Sequence, residues 1–263
     1  MKLGFIGAGN MAQAMIGGIL AKGIVKKDEI IASAATQKTI DKVSEEFGVN
    51  VTLDNTEVAK ADIVFLAVKP VYYQEVIDEI KSVVNENQII ISVAAGKSVE
   101  WVENAFGGEK KIVRIMPNTP ALVGEAVTAI CPNKNVSDEE KKVVSELLSS
   151  FGIAQFINEN IMDAVIAVSG SSPAYVFMFI EAMADAAVAG GMPRQQAYKF
   201  AAQAVLGSAK MVLETGKHPG ELKDMVCSPA GTTIQAVRVL EEKGMRSSVI
   251  EAMMKCLDIS RNM

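Results

Sequence analysis

The first 155 or so residues alternate short, mostly β-branched runs with amphipathic stretches of helical periodicity, and this alternation constrains the fold most strongly. Near-continuous apolar strands are typical of a sheet buried on both faces, and helices between them predict parallel pairing. We therefore expect an α/β N-terminal domain built on a mostly parallel sheet. The predicted strands are Leu3–Ile6, Ile30–Ala32, Ile63–Val68, Ile89–Val93, Ile112–Ile115, Val127–Ile130 and Ile153–Phe156, and the predicted helices are Met11–Lys22, Thr39–Phe47, Val71–Val84, Val99–Phe106 and Ser137–Ser150.

After about residue 160 the strand signals stop and helical periodicity takes over. The stretch Ala174–Ala189 has only Glu181 and Asp185 as charges, a pattern typical of a helix that is buried on every side. That burial is provided either by an oligomer or, for an ordinary core helix, by the N-terminal domain. We expect residues 1–157 to form the first domain and residues 158–263 a helical substrate-binding and oligomerisation domain. Its predicted helices are Ile161–Val168, Ala174–Ala189, Arg194–Thr215, Ile234–Glu242 and Ser247–Ser260.

Composition excludes several classes of function. The 263 residues carry 26 Lys and Arg against 31 Asp and Glu, a net charge of −5 without a basic block, which argues against binding nucleic acid or an anionic membrane. Cys131, Cys227 and Cys256 lie far apart, so neither a disulfide framework nor a zinc site is indicated. His218 is the only histidine, so we expect no His-ligated metal and no Ser-His-Asp catalysis.

The apolar N-terminus superficially resembles a signal peptide, but Asn10 and Gln13 interrupt it. No run of 18 uninterrupted apolar residues occurs, so we expect no transmembrane helix and no membrane partner. The sequence therefore favours a cytoplasmic protein, with secretion as the less favoured alternative.

The most informative motif follows the first predicted strand, where Gly7-Ala8-Gly9-Asn10-Met11-Ala12 has the form G-x-G-x-x-A and leads into a helix. Gly7 permits the tight turn, and Gly9 lets a diphosphate approach the backbone. Ala12 is small enough for the helix to pack on the strand, and the helix N-terminus offers unpaired N–H groups to phosphates. This context favours a dinucleotide site over a simple glycine-rich turn.

The end of the second strand bears on the choice of cofactor. An NAD site usually has Asp or Glu there for the ribose hydroxyls, whereas this segment has no acid until Asp41. The hydroxyls of Ser33 and Thr36 together with Lys38 suit a 2′-phosphate, which favours NADP(H) and leaves NAD(H) open. The alternative is a solvated turn in which Thr36 caps the following helix.

Three later turns lie where a parallel sheet presents its ligand-binding loops. The segments Ala67-Val68-Lys69-Pro70 and Ala94-Ala95-Gly96 could admit a cofactor between small residues, or they could be plain tight turns with Lys69 in solvent. Pro117-Asn118-Thr119-Pro120 predicts a rigid polar turn at the same edge, again with a purely structural alternative.

A second polar segment, Ser228-Pro229-Ala230-Gly231-Thr232-Thr233, precedes a predicted helix near Ile234. A helix N-terminus hinged by glycine exposes N–H donors suited to a carboxylate, and nearby hydroxyls add hydrogen-bonding capacity. The alternative is a capping box formed by Thr232 and Gln235. We expect His218, in a turn between helices, to be structural.

Seven segments, taken in order, carry a family resemblance that spans nearly the whole chain. They are Gly4–Ala12, Phe65–Pro70, Val93–Gly96, Arg114–Ala121, Ser169–Tyr175, His218–Asp224 and Ser228–Thr233. These segments resemble those of pyrroline-5-carboxylate reductases, the NAD(P)H-dependent enzymes of the last step of proline biosynthesis. The glycine motif is shared by many dehydrogenases, but the serine- and threonine-containing segments of the C-terminal half are much more specific to this family.

The resemblance implies a Rossmann-type domain followed by helices that intertwine in a homodimer, often assembled further into a decameric ring of dimers. The substrate, 1-pyrroline-5-carboxylate, would lie between one subunit's cofactor and the partner's helices. NADP(H) is preferred and NAD(H) stays open, because the loop after the second strand varies within the family. The implied cofactor contacts are Gly7, Ala8, Gly9, Asn10, Met11, Ser33, Thr36, Lys38, Asn55, Ala67, Val68, Lys69, Pro70, Ala94, Ala95, Gly96 and Asn118.

The resemblance also implies roles for the second polar segment. Ser228 and the backbone N–H groups of Gly231 and Thr232 would hold the substrate carboxylate, and Thr233 would hydrogen-bond the ring nitrogen as the catalytic residue. The family usually has glycine where Ala230 stands, so the shape of the carboxylate pocket could differ here.

Two other functions stay open from the sequence. A related dehydrogenase could act on another imine or on a β-hydroxyacid, but the latter class uses a lysine in the first long helix after the nucleotide domain, and residues 161–175 contain none. A redox-sensing protein that binds NADP without turnover is the second alternative.

Overall fold

The computed structural model describes residues 1–262, which divide into two compact units. The first unit comprises Met1–Gly170 together with the residues from Ile259 onward, and the second comprises Ser171–Asp258. The residues of the predicted cofactor site fall in the first unit, and those of the predicted substrate site fall in the second.

An eight-stranded sheet forms the centre of the first unit, with strand order β3-β2-β1-β4-β5-β6-β7-β8. All neighbouring strands pair in parallel except β6 and β7, which are antiparallel, so the prediction of a mostly parallel sheet is confirmed. The strands are β1 Leu3–Ile6, β2 Ile30–Ser33, β3 Asn50–Thr52, β4 Ile63–Leu66, β5 Ile89–Ser92, β6 Lys111–Met116, β7 Ala126–Pro132 and β8 Gly152–Phe156.

Helices cover both faces of this sheet. Alternate residues of each strand belong to different cores, so that Phe5 packs with α1 and α6 on one face, and Ile6 packs with α4 and α5 on the other. The helices of the first unit are α1 Asn10–Ala21, α2 Gln37–Phe47, α3 Asn55–Val58, α4 Tyr73–Ile80, α5 Val99–Phe106, α6 Asp138–Leu148 and α7 Met162–Val165, with a π-helical turn over Ile166–Gly170.

The second unit is helical. Its helices are α8 Ser172–Ala189, α9 Arg194–Thr215, α10 Pro219–Val226, α11 Thr232–Glu242 and α12 Met245–Arg261, the last of which ends in the first unit. A small core of Ala184, Ala197 and Ala201 joins α8 to α9. The sequence patterns predicted α8 and α9 well but missed α10.

Most of α8 is exposed in the single chain, where Ala184 is its one fully buried residue. By length and composition alone, the helical stretch Glu159–Ala189 could cross a membrane. An 18-residue window within it has a mean hydropathy of 1.4, and 17% of that window is buried. The sequence predicted no such segment, since it contains no run of 18 uninterrupted apolar residues.

Candidate functional site

The loop between β1 and α1 has the backbone that a dinucleotide site needs. Gly7 has φ of +93°, and a Cβ there would lie 2.8 Å from the Ala67 backbone, so only glycine fits. Gly9 is the N-cap of α1 and supplies no side-chain cap, and a Cβ at Gly9 would meet nothing within 4 Å. The N–H groups of the first turn of α1 therefore lie beside open space of the kind that a diphosphate fills.

Gln13 holds this loop in place, although it lies outside the glycine motif and was given no role in the site. Its side-chain amide donates to the Ala8 carbonyl at 2.7 Å, and its carbonyl accepts from Lys42 Nζ at 3.1 Å. The sequence offered only one signal, a polar residue in the first turn of an otherwise apolar helix. The Lys42 ammonium consequently lies one side chain away from the glycine loop.

The predicted residues at the end of β2 have different surroundings. Ser33 is fully buried, and its hydroxyl donates to Asn55 Oδ1 at 2.7 Å. Asn55 in turn donates to the Glu79 carboxylate at 2.7 Å, which fixes the orientation of its amide. Ser33 and Asn55, 22 residues apart, are thus brought together, with Glu79 as a partner that the sequence did not reveal.

The turn after β2 is compatible with both predictions made for it, a 2′-phosphate site and a turn in which Thr36 caps the next helix. Thr36 is the N-cap of α2, and its hydroxyl accepts from the Thr39 N–H at 3.3 Å, so the predicted capping role is present. Lys38 is exposed and forms no ion pair with any residue from 1 to 262. No carboxylate among the described side chains therefore competes with a phosphate for the Lys38 ammonium.

The carboxyl ends of β1, β2, β4 and β5 meet at one edge of the sheet, as parallel pairing requires. Gly7 N–H donates to the Ser33 carbonyl at 3.0 Å, and Ala67 N–H donates to the Ile6 carbonyl at 2.8 Å. The predicted segments 7–11, 33–38, 67–70 and 94–96 consequently share this edge, with Lys69 exposed and Gly96 at φ of +73°.

Asn118 lies in the turn after β6 and is 8% exposed, and both ends of its amide already have partners. Its carbonyl accepts from the Val127 N–H at 3.0 Å, and its NH₂ group donates to the Ser169 carbonyl at 3.1 Å. The side chain therefore joins the turn to β7 and to the π-helical turn, and one N–H is left for a ligand.

An ion pair between a buried arginine and a half-buried glutamate lies beside the same edge. Arg114, 8% exposed, contacts Glu159 at 2.8 Å, and the Arg114 Nε has no partner within residues 1–262. Cys131 is opposite Arg114 in the β6–β7 register. Burial raises the pKa of the Cys131 thiol to about 11, the Glu159 carboxylate adds to that rise and Arg114 opposes it, so the thiol stays protonated near neutral pH.

The substrate segment predicted in the second unit forms a tight turn followed by α11. The helix begins at Thr232 with Gly231 as N-cap and no side-chain cap, so the predicted capping box of Thr232 and Gln235 is absent. A Cβ at Gly231 would meet the Ser228 hydroxyl and come within 3.1 Å of the Ser228 carbonyl oxygen, so glycine leaves this turn uncrowded. Ala230 has φ of +57°, and it is the one non-glycine residue in 1–262 with a positive φ.

The donors of this turn differ in part from those that the sequence suggested. The Gly231 N–H donates to the Ser228 carbonyl at 3.0 Å and so is engaged within the turn. The N–H groups of Thr232 and Thr233, in the first turn of α11, have no intrahelical acceptor. Thr233 is half-buried, while Ser228 and Thr232 are exposed.

His218 caps α10, since its Nδ1 accepts from the Gly220 N–H at 3.1 Å. This contact gives it the structural role that the sequence suggested. Within residues 1–262, no group of three or more His, Cys, Asp or Glu side chains is arranged to hold a metal ion.

Two family models match the chain. Residues 159–263 match a model described as pyrroline-5-carboxylate reductase dimerisation, and residues 2–96 match one described as NADP oxidoreductase, coenzyme F420-dependent. These matches fall on the helical C-terminal region and on the strands that carry the glycine loop.

Individual proteins show similarity over the full length. The pyrroline-5-carboxylate reductase of Escherichia coli K12 is 54% identical over 263 residues, covering 100% of this chain and 98% of that protein. A pyrroline-5-carboxylate reductase structure from Coxiella burnetii gives a TM-score of 0.92 at 34% identity, covering 99% of this chain and 97% of that one. The Plasmodium falciparum pyrroline carboxylate reductase with NADP bound gives 0.90 at 35% identity, covering 100% and 97%.

Proposed function

This chain belongs to the pyrroline-5-carboxylate reductase family, and we propose that it reduces 1-pyrroline-5-carboxylate to L-proline with NADPH, the last step of proline biosynthesis. The observation that carries this function is the continuous similarity, 54% identity over all 263 residues, to a reductase of that name. The likeness covers the dinucleotide loop and the helical region together, so it concerns the whole enzyme and not a shared cofactor domain.

The glycine loop fits a dinucleotide on grounds of its own geometry. The open space at Gly9 and the uncapped first turn of α1 suit a diphosphate, and the amide of Gln13 fixes the Ala8 carbonyl beside them. We assign the 2′-phosphate to Thr36 and Lys38, and the ribose to Asn55, which the buried Ser33 hydroxyl holds in place. The remaining contacts are assigned to the loops 67–70 and 94–96 and to the turn at Asn118.

The segment 228–233 is assigned to the substrate. The Ser228 hydroxyl and the N–H groups of Thr232 and Thr233 are three donors suited to the carboxylate of the cyclic imine. Gly231 contributes by its lack of a Cβ, because its own N–H is engaged with Ser228. The half-buried hydroxyl of Thr233 accepts a hydrogen bond from the protonated ring nitrogen.

The reaction makes modest demands on the protein. The bound nicotinamide supplies a hydride, which is the chemistry of the cofactor and not of the chain. The protonated imine is electrophilic: C5 accepts the hydride while the π electron pair of the C=N bond moves to nitrogen, which keeps its proton. The chain's contribution is to hold C5 in place through the carboxylate and nitrogen contacts, and orientation of this kind supplies much of the rate acceleration.

We also assign the domains, the assembly and the location. Residues 1–157 are the dinucleotide-binding domain and residues 158–263 the substrate-binding and oligomerisation domain, whose start is close to that of the family match at residue 159. The protein forms homodimers, which assemble further into a decameric ring, and it works in the cytoplasm. Sedimentation equilibrium distinguishes masses of two and ten protomers.

The proposed function is tested by mixing the purified protein with 1-pyrroline-5-carboxylate and NADPH and following NADPH absorbance and proline formation. We expect proline and NADP⁺ in equal amounts, with NADH as a parallel donor and other cyclic imines as parallel substrates. Binding of NADPH without its oxidation would instead support the redox-sensing alternative. Faster turnover of another imine would identify a related reductase.

A further inference from the structure

Tyr73 is a fully buried tyrosine that neither the sequence motifs nor the proposed reaction uses. It is the first residue of α4, and its hydroxyl lies between the carboxyl ends of β4 and β5. The hydroxyl donates to the Leu66 carbonyl at 2.5 Å and accepts from the Val93 N–H at 3.0 Å. The Ser92 hydroxyl, also fully buried, lies 3.3 Å away.

The position of this hydroxyl matters because Leu66 and Val93 are the residues just before two predicted cofactor loops, 67–70 and 94–96. The Val93 N–H is shared between Tyr73 and the Leu66 carbonyl, the latter at 3.2 Å. The phenol therefore sits where the last hydrogen bond between the two strands is made and the loops begin to separate. Burial raises the pKa of Tyr73 to about 12, which keeps the hydroxyl protonated and able to donate.

The far end of the second loop has an anchor too. The Val99 N–H, at the start of α5, donates to the Glu159 carboxylate at 2.8 Å, and the same oxygen contacts Arg114 at 2.8 Å. The loop 94–98 is thus fixed by side chains at both ends, one from α4 and one from the segment after β8. Within this loop, the Lys97 ammonium lies over the Trp101 ring, 4.1 Å from the ring centroid.

We propose that Tyr73 is a positioning residue of the cofactor site, which holds the loops 67–70 and 94–96 at the separation that a phosphorylated nicotinamide dinucleotide requires. This inference rests on the proposed function, which assigns those loops to the cofactor. Removing the hydroxyl keeps the aromatic ring in the core and leaves Leu66 and Val93 bonded to each other. The fold therefore survives its loss because this strand-to-strand bond remains, while the starts of the two loops lose the phenol that links them.

The test compares Tyr73→Phe with Tyr72→Phe, the same chemical change at the neighbouring tyrosine, which is 51% exposed. The dissociation constant for NADPH is measured by fluorescence titration of the full-length protein without imine. For Tyr73→Phe we expect a rise of at least fivefold, a matching rise in KM for NADPH, and kcat within twofold of the parent. Tyr72→Phe is expected to leave all three values unchanged.

Hydrogen exchange distinguishes a positioning role in the cofactor site from a merely structural role. We expect faster exchange in residues 93–98 of Tyr73→Phe than in the parent, and restored protection when NADPH is saturating. A lowered melting temperature with an unchanged NADPH dissociation constant would overturn the proposal. If Tyr73→Phe does not fold, Tyr73→Met fills the buried space with a flexible apolar side chain that has no hydroxyl, and an unchanged NADPH dissociation constant there overturns the proposal as well.

The two proposals fail in different ways. NADPH binding is measured without imine, so a parent protein that binds NADPH but forms no proline refutes the proposed reaction and leaves the role of Tyr73 open to test. Proline formation by both the parent and Tyr73→Phe at equal NADPH affinity refutes the role of Tyr73 alone.

Discussion

Ala230 adopts a left-handed backbone conformation, with φ of +57°, in the turn that we assign to the substrate. This conformation costs an L-residue about 1–2 kcal/mol, while glycine adopts it readily. Glycine also makes the unfolded chain more flexible, which offsets part of the gain. We expect Ala230→Gly to leave the free energy of unfolding unchanged or to raise it by up to about 1 kcal/mol.

Urea denaturation measures this change, and Ala202→Gly is the matched control. Ala202 lies inside α9 and is exposed, so the same substitution there should cost about 1 kcal/mol. Equal losses at both positions would contradict the claim that residue 230 is strained.

Thr233 is the residue through which the chain contacts the reacting nitrogen in the proposed reaction. We expect Thr233→Val to lower kcat at least tenfold, because a lost hydrogen bond of roughly 1.4 kcal/mol corresponds to that factor. The change is nearly isosteric, so the melting temperature should move little. Thr233→Ser keeps the hydroxyl and should retain most of the activity. Normal turnover by Thr233→Val would remove this hydroxyl from the mechanism.

The raised pKa of Tyr73 has a consequence for alkaline stability. The unfolded tyrosine ionises near pH 10, while burial keeps the folded one neutral to about pH 12. Its contribution to stability is therefore complete below pH 10 and is lost as the pH rises from 10 to 12. At pH 11 the loss is on the order of 1 kcal/mol. Tyr73→Phe should show a smaller fall in unfolding free energy between pH 9 and 11 than the parent, as measured by urea denaturation.

At the scale of elements, folding and binding depend on different glycines of the turn from β1 to α1. Gly7 is required by the fold, because φ is +93° and a side chain would press on the Ala67 backbone. Gly9 has an ordinary backbone and open space around it. We expect Gly9→Ala to unfold at nearly the parent temperature but to bind NADPH at least tenfold more weakly, since a methyl group would occupy the space of the diphosphate.

Gly7→Ala provides the contrast, and calorimetry with NADPH titration measures both variants. We expect it to lower the free energy of unfolding by about 2 kcal/mol or more, through the left-handed backbone and the clash together. Parent-like NADPH affinity in Gly9→Ala would mean that the diphosphate does not approach this part of the loop.

The elements that the sequence predicted are those with strong local signals. The strands β1, β4 and β5 are runs of buried apolar residues, and their positions were predicted to within about two residues. The helix α6 was predicted from Ser137, and in the structure Ser137 is its N-cap and forms a capping box with Glu140. The strand β3 was missed because it has three residues with one apolar side chain among them. The helix α10 was missed because Pro219-Gly220 at its start is typical of a turn.

The same distinction applies to the site. The glycine loop and the turn at 228–233 could be identified because their residues are contiguous. The contacts of Tyr73 with Val93, of Ser33 with Asn55 and of Arg114 with Glu159 join residues 20, 22 and 45 positions apart. Pairs of this kind depend on which strands become neighbours, and local patterns in a single sequence carry no such information.

At the scale of the whole molecule, the second unit exposes more apolar surface than a monomer in water tolerates. Phe177 and Met178 of α8 are 61% and 68% exposed, and Phe200 and Leu213 of α9 are 67% and 74% exposed. These residues lie within the region that matches the dimerisation family model. The sequence predicted that α8 is buried on all sides, whereas most of α8 is exposed in the single chain. Association with another copy accounts for the difference.

A charge placed on this surface should therefore prevent association. We expect Phe177→Glu combined with Phe200→Glu to lower the mass measured by light scattering to that of one protomer, because an unpaired carboxylate is costly to bury. Val143→Glu on α6 of the first unit, 36% exposed, should leave the mass of the parent assembly unchanged. Since the substrate segment lies in the unit that associates, the double variant should also lose proline formation while the first unit still binds NADPH. A double variant that keeps the parent mass at micromolar concentration would show that another surface holds the assembly together.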